Sequence, residues 1–127
     1  MTVDHLSNLL TSLRNAELAK HSSTKVWDTK LSRAVLTVLK EKNYISDFAA
    51  DATAEGKALE VTLTSPSTQH HFRRISKPSR RMYVDAKSIP TVRQGQGMLI
   101  LSTSEGVMSS QDARKKVLGG EILCEVY

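Results

Sequence analysis

Three consecutive hydroxyl side chains are the feature of this chain closest to recognisable chemistry: Ser102, Thr103 and Ser104, followed by Glu105 and Gly106. Hydroxyl groups both donate and accept hydrogen bonds, so this segment could bind phosphate, a ribose 2′-hydroxyl or the edge of a base. A Ser/Thr-rich turn that bonds its own backbone is the other interpretation, and composition alone favours it.

A cluster of positive charge precedes this segment. The chain of 127 residues carries 18 Lys and Arg against 13 Asp and Glu, a net charge of +5. Residues 1–66 are balanced at eight against eight, so the excess lies in residues 67–127, with ten against five. Five basic residues fall within nine positions that hold no acid: Arg73, Arg74, Lys77, Arg80 and Arg81. Because arginine forks match phosphate oxygens, the cluster could bind phosphate; a merely solvated basic face is the alternative.

Enzyme chemistry has no supporting set of residues. The Gly-x-Ser-x-Gly elbow of serine hydrolases is absent, because Ser102 rather than glycine stands two positions before Ser104. His70 and His71 are adjacent, so on a strand they would point to opposite faces, and no acidic residue is evidently placed to orient either. We therefore expect no enzyme, metal or cofactor, and a hydrolase using Ser104 is only a minor alternative.

Tyr83 stands between Arg81 and Lys87 on an expected strand. An aromatic ring among basic residues could stack on a base or ribose, but the residue alone favours a core tyrosine with its hydroxyl at the rim. Three other residues are predicted to be buried: Trp27, Phe72 and Cys124.

Composition excludes several classes of protein. There is no apolar run of about 18 residues, which excludes a transmembrane helix. No basic stretch precedes an apolar one at the start, so we expect no secretory signal and a cytoplasmic location. One cysteine excludes a disulfide framework and a cysteine-based zinc site.

Hydrophobic periodicity predicts an α-β-α-β-β order for residues 1–64. A helix over about residues 4–19 would be capped by Asp4, and a second helix would begin at Asp28 or Thr29 and end at Asn43. Strands are predicted at residues 25–27, 44–50 and 57–64, the last two joined around Glu55-Gly56.

The turn-like segment 65–68 is the predicted boundary between two subdomains, 1–64 and 65–127. The second is expected to be mostly antiparallel β with one short helix, so the fold class is α+β. Residues 76–79 read as a turn, 98–101 as a buried strand, 102–106 as a loop and 121–127 as a last strand. The short helix, capped by Ser109 or Ser110, would bring a positive dipole end near the hydroxyl segment.

The same residues resemble a known family. The chain reads Arg-Ile-Ser-Lys-Pro-Ser-Arg-Arg-Met-Tyr over residues 74–83 and Ser-Thr-Ser-Glu-Gly-Val-Met over residues 102–108, and later contains Gly119-Gly120-Glu121 and a closing Cys-Glu-Val-Tyr. This set is similar, nearly motif for motif, to the small-subunit ribosomal protein S-eight family. Residues 10–16, 29–31 and 38–45 resemble the first half of that family more loosely.

The resemblance implies a structural ribonucleoprotein component of the small ribosomal subunit that acts in translation. It implies binding to the central domain of small-subunit rRNA early in ribosome assembly, by recognition of an irregular helix, beside neighbouring small-subunit ribosomal proteins and away from any membrane. Many bacterial members also bind their own messenger RNA and repress its translation, so an autogenous repressor is the alternative function.

The resemblance also assigns site residues. It implies that Ser102, Thr103 and Ser104 contact RNA, with Gly106 allowing close backbone approach, which reverses the preference stated above for this segment. Glu121 would brace the loop. The remaining positions expected to bind RNA are aromatic or basic: Tyr83, Arg81, Arg80, Lys77, Arg74, Lys30 and Arg14.

Several positions depart from the family pattern. Ser79 replaces the glycine of a Lys/Arg-Pro-Gly turn, Glu105 stands where lysine is common, Thr64 replaces a frequent basic residue, and Trp27 replaces a proline. Because none alters residues 102–104, they bear more on affinity and on messenger repression than on RNA binding itself.

Overall fold

The computed structural model describes residues 5–50, 58–64 and 69–127. The chain divides into two compact units, residues 1–70 and 71–127. The predicted cap at Asp4, the turn at Glu55-Gly56 and the boundary segment 65–68 lie outside the described residues, so the division after residue 64 stays a prediction.

The first unit has the predicted α-β-α-β-β order. Its elements are α1 (His5–Leu18), β1 (Ser23–Trp27), α2 (Lys30–Glu41), β2 (Asp47–Ala50) and β3 (Ala58–Thr62). The strands form an antiparallel sheet in the order β1-β3-β2.

Both helices of the first unit follow from their sequence patterns. The apolar stripe predicted on α1 is buried: Leu6, Leu9, Leu10, Leu13 and Ala16. Thr29 caps α2, because its hydroxyl accepts a 3.0 Å hydrogen bond from the Ser32 amide. Asn43 has φ 66°, the left-handed conformation expected after the helix.

The second unit is an antiparallel sheet with one short helix. Its elements are β4 (Phe72–Arg74), β5 (Tyr83–Val84), β6 (Met98–Thr103), β7 (Gly106–Ser109), α3 (Ser110–Lys116) and β8 (Gly120–Val126). The sheet order is β4-β8-β6-β7, and β5 also pairs with β8. Its buried cluster comprises side chains from the sheet, from α3 and from the segment between β5 and β6: Ile89, Val92, Leu99, Leu101, Met108, Ala113 and Ile122. The mixed α+β class is confirmed.

The predictions of buried side chains have different outcomes. Trp27 was predicted to be buried, but its residue is 56% exposed, because on β1 Val26 faces inward and its neighbour therefore faces outward. Phe72 and Cys124 are buried as predicted. No helix in the described part of the chain is both long enough and apolar enough to span a membrane.

Candidate nucleic-acid interface

The hydroxyl segment forms the tip of a β-hairpin rather than the predicted loop. Strands β6 and β7 pair up to Thr103 and Gly106, leaving only Ser104 and Glu105 between them. Sequence patterning missed β7 because its four residues are too few to show an alternation. The two-residue connection fixes the hydroxyl groups at the end of a rigid ladder.

The three hydroxyls have different roles in this hairpin. The Thr103 hydroxyl donates to the Gly106 carbonyl at 2.8 Å and accepts from the Glu105 amide at 3.2 Å, so it closes the turn. Within the described residues, no hydrogen bond engages the hydroxyls of Ser102 and Ser104. The self-bonded turn is therefore present at Thr103, and the two neighbouring hydroxyls are free of hydrogen bonds within the described residues; that they contact RNA stays a prediction.

Gly106 is required for conformation rather than for close approach within the protein. Its φ is +110°, where side-chain-bearing residues are rarely found, and a Cβ there would meet no atom within 4 Å. This glycine lets the hairpin turn back tightly after Glu105.

The expected contribution of the α3 dipole to the hydroxyl tip is wrong. Ser109 caps α3, accepting from the Asp112 amide at 3.2 Å, but Ser109 pairs with Ile100. It therefore lies three pairs along the ladder from Thr103, roughly 10 Å away. A helix-dipole effect of this kind falls off within about one turn.

The basic cluster forms a second, tight turn, which we name the basic turn (residues 73–81). Lys77 and Arg80 exchange backbone hydrogen bonds of 3.0 and 2.9 Å around Pro78-Ser79. Ser79 does not have a positive φ, so the replacement of glycine is accommodated in the turn without a left-handed residue. Lys77 and Arg80 are exposed, and within the described residues neither forms an ion pair with a carboxylate.

Glu121 joins the basic turn to the central strand of the sheet. Its carboxylate accepts from the Ser76 hydroxyl at 2.5 Å and from Arg81 Nη1 at 2.9 Å. Burial raises the pKa of Glu121, but these two hydrogen bonds, with the charges of Arg81 and Arg74, outweigh burial and hold the pKa below its usual range. The contacts of this carboxylate are with the basic turn, whereas bracing of the hydroxyl loop was expected.

Arg74 lies on the inner side of the same network. Its Nε donates to the Ser76 carbonyl at 2.5 Å. Burial and the neighbouring Arg81 charge lower the pKa of Arg74, and Glu121 opposes that effect. The Glu121 carboxylate thus offsets the repulsion between the closely spaced arginines.

One row of paired residues brings the predicted groups together. Glu121 on β8 pairs with Tyr83 on one side and with Ser102 on the other. Since neighbouring strands are about 4.8 Å apart, the backbones of Tyr83 and Ser102 lie roughly 10 Å apart. Tyr83 is 69% exposed, so its assignment as a core tyrosine is wrong. A recess of about 360 Å³ beside it is lined by Asp85, Ser88 and Gly120 among others.

Two predicted residues belong to the first unit. Arg14 on α1 and Lys30, the first residue of α2, are both exposed. The other predicted positions are all in the second unit, on the hairpin, the basic turn, β5 and β8.

Ser76 is the residue that sequence reasoning missed. It is 2% exposed, donates to Glu121 and accepts from the Met82 amide at 3.2 Å. The sequence feature that could have indicated Ser76 is its place inside the Arg-Ile-Ser-Lys-Pro motif. It is a small polar residue among five charged residues that cannot all be buried.

The histidines do have acidic neighbours, contrary to expectation. His70 Nδ1 lies 2.7 Å from the Glu17 carboxylate, and His71 Nε2 lies 3.4 Å from that of Glu125. His71 nevertheless pairs its backbone with Tyr127, six residues along β8 from the partner of Ser102. That is roughly 20 Å, so His71 cannot serve Ser104 as a catalytic base.

Comparison of the sequence with known proteins gives matches to one family. The sequence model of the family described as Ribosomal protein S8 matches residues 4–127. A small ribosomal subunit protein uS8 from Oleidesulfovibrio alaskensis is 40% identical over 127 residues, covering 100% of both chains. Those of Chlamydia pneumoniae and Ruthia magnifica are 39% and 38% identical, covering 100% and 98% of this chain and 98% and 97% of the relatives.

These similarities define the class as a structural, non-enzymatic protein of the small ribosomal subunit. The chain belongs to the ribosomal protein S8 family.

Proposed function

We propose that this protein binds the central domain of small-subunit rRNA early in assembly, recognising an irregular helix. The observation that carries the proposal is the row Tyr83–Glu121–Ser102, which sets the Ser102 hydroxyl, two residues from that of Ser104, in line with an exposed ring and a braced basic turn. Its setting is the cytoplasmic ribosome, among neighbouring small-subunit proteins.

The basic turn and the hydroxyl hairpin contribute differently to the free energy of RNA binding. Lys77 and Arg80 supply charge that attracts phosphate without regard to sequence, releasing counterions. Ser102 and Ser104 are uncharged and can exchange hydrogen bonds with 2′-hydroxyls and base edges. Arg81 is partly committed to Glu121, so its first role is to fix the turn. Discrimination therefore falls to the hairpin and long-range attraction to the turn.

Filter binding tests this division, using a central-domain rRNA fragment and a regular RNA duplex at several salt concentrations. Ser104→Ala should reduce the preference for the fragment and leave the salt slope unchanged. Arg80→Ala should weaken binding to both RNAs and flatten the slope by about one unit. A wild-type protein that bound the fragment no more tightly than transfer RNA at moderate salt would contradict the proposal.

Messenger RNA is the second partner proposed for the same surface. Because one hairpin and one turn would serve both RNAs, ribosomal and messenger fragments should displace each other in a gel-shift competition. Ser104→Ala should weaken both complexes in parallel. Formation of a ternary complex would show that the messenger uses another surface.

A further inference from the structure

A stack of three planar groups lies at the opposite end of β8 from the hydroxyl hairpin. The rings of His71 and Tyr127 are 4.3 Å apart with an interplanar angle of 15°. The Arg93 guanidinium lies over the same Tyr127 ring, 4.2 Å from its centre. Two groups this close to one ring centre cannot share a face, so Tyr127 is enclosed between them. The outer plane of Arg93 ends the stack.

An unusual backbone holds Arg93 in this position. Three consecutive residues have positive φ: Arg93 at 49°, Gln94 at 56° and Gly95 at 91°. The Val92 carbonyl accepts from the amides of both Gly95 and Gly97, at 2.9 and 3.1 Å, which closes the loop. Non-glycine residues adopt this conformation only when their surroundings enforce it, and such positions concentrate at functional sites.

The surroundings of Arg93 are polar and carry both signs of charge, since the Glu125 carboxylate lies 3.4 Å from His71 Nε2 in the same stack. Among the described residues, Arg93 forms no ion pair with a carboxylate. Arg73 is nearby along the sheet, with its side chain 61% exposed and its Nε 3.8 Å from Glu125, too far for a strong pair. The loop also exposes Gln94 and Gln96, whose amides donate and accept hydrogen bonds.

Apolar docking of a protein partner has little support at this surface. Among the described residues of the second unit, the large apolar side chains that are exposed are those of Tyr83 on β5 and of Val117 directly after α3, and neither belongs to the stack. A flat cation backed by an aromatic ring, with amides beside it, instead matches the way proteins hold unstacked bases.

We propose that Arg93 is a stacking platform for an unpaired RNA base. The base would continue the series His71, Tyr127, Arg93, with its edge within reach of polar groups of the same loop. This rests on the proposed RNA-binding function and extends it to a second contact. The platform lies about seven residues of β8 from the hairpin, so the unpaired nucleotide sits roughly 20 Å from the hairpin contact.

The test uses fluorescence anisotropy with two eight-nucleotide RNAs, oligoadenylate and the same backbone without bases. The full-length protein should prefer the oligoadenylate. Arg93→Lys keeps the charge but removes the planar group, so it should lower that preference by at least about fivefold, without changing affinity for the abasic RNA. Arg33→Lys makes the same change at an exposed arginine of α2 to which no RNA contact is assigned, so it is the matched control and should leave the preference intact. The Arg93 Nε–H signal in NMR spectra should shift with oligoadenylate alone.

The proposal is overturned if Arg93→Lys retains the wild-type preference, or if the Arg93 signal responds equally to both RNAs. Either of these two outcomes, together with normal binding of the central-domain fragment, would disprove the platform and leave the proposed rRNA binding intact. Loss of preference in Arg93→Lys, with no specific binding of the fragment by wild type, would support the platform and defeat the proposed rRNA recognition.

Discussion

Replacing Glu121 by glutamine tests whether one carboxylate organises the basic turn. The substitution keeps the shape and an acceptor oxygen but removes the charge. The bond from Ser76, a residue 2% exposed, is charge-assisted, and such bonds contribute about 1 kcal/mol more than neutral ones. The contact with Arg81, whose side chain is 54% exposed, is screened by solvent and adds little. Glu121→Gln should therefore cost about 1–2 kcal/mol.

In a chain of this size, that loss corresponds to a fall in Tm of about 4–8 °C at neutral pH, measured by differential scanning calorimetry. The pH dependence gives the sharper result. Because the folded-state pKa of Glu121 is lowered, its contribution is complete above the unfolded value of 4.5 and is lost as pH falls through the folded value. The Tm difference between wild type and Glu121→Gln should thus be constant near neutrality and shrink below about pH 4.5.

Glu105→Gln is the matched control, since it removes a charge from an exposed turn residue of the same unit. It should shift Tm by less than about 2 °C. A stabilising role of the Glu121 charge is refuted if Glu121→Gln melts as the control does, or if its Tm difference from wild type is the same at pH 3.5 and pH 7.

Two further predictions concern Cys124 and Gly120, both on β8. Burial raises the pKa of the Cys124 thiol to about 12, so the folded protein should resist labelling by a disulfide reagent at pH 8. Labelling should proceed only at the rate of unfolding. Rapid stoichiometric labelling of the native protein would refute this prediction. Gly120→Ala would place a Cβ against the Ser102 carbonyl, so it should lower Tm and abolish preference for the central-domain fragment. Ser104→Ala should abolish only the preference, and Gly120→Ala with unchanged Tm would show that the strands can separate freely.

Sequence patterns a few residues long predicted most of the helices and strands, because the interactions that form these elements are themselves local. The apolar spacing of α1, the Thr29 cap and the buried run at 98–101 each act within a few residues. The position of Trp27 required a different kind of information. The Trp27 ring is apolar, and its apolar character alone led to the prediction of burial. Alternation along the short edge strand β1 places Val26 on the buried face and Trp27 on the exposed face.

The candidate site was predictable by residue type and less so by arrangement. Patterning and family resemblance identified the hydroxyls, Arg81 and Tyr83. The hydrogen bond from Ser76 to Glu121 joins residues 45 positions apart in the chain. That the Thr103 hydroxyl bonds within the turn, while those of Ser102 and Ser104 do not, depends on the turn geometry. Such couplings arise from pairing across β8, which no local window of sequence contains.

The place of β8 in the chain has a consequence for when the surface comes into existence. This strand follows all its partners in sequence, yet it supplies the pairing for β4, β5 and β6. During synthesis the chain emerges N-terminal end first, so the basic turn and the hairpin leave the exit tunnel before the strand that joins them. A nascent or truncated chain would then offer only charge to RNA. Under the proposed function, shape-selective binding would require chains synthesised through residue 126, so incomplete products would not compete for the same RNA sites.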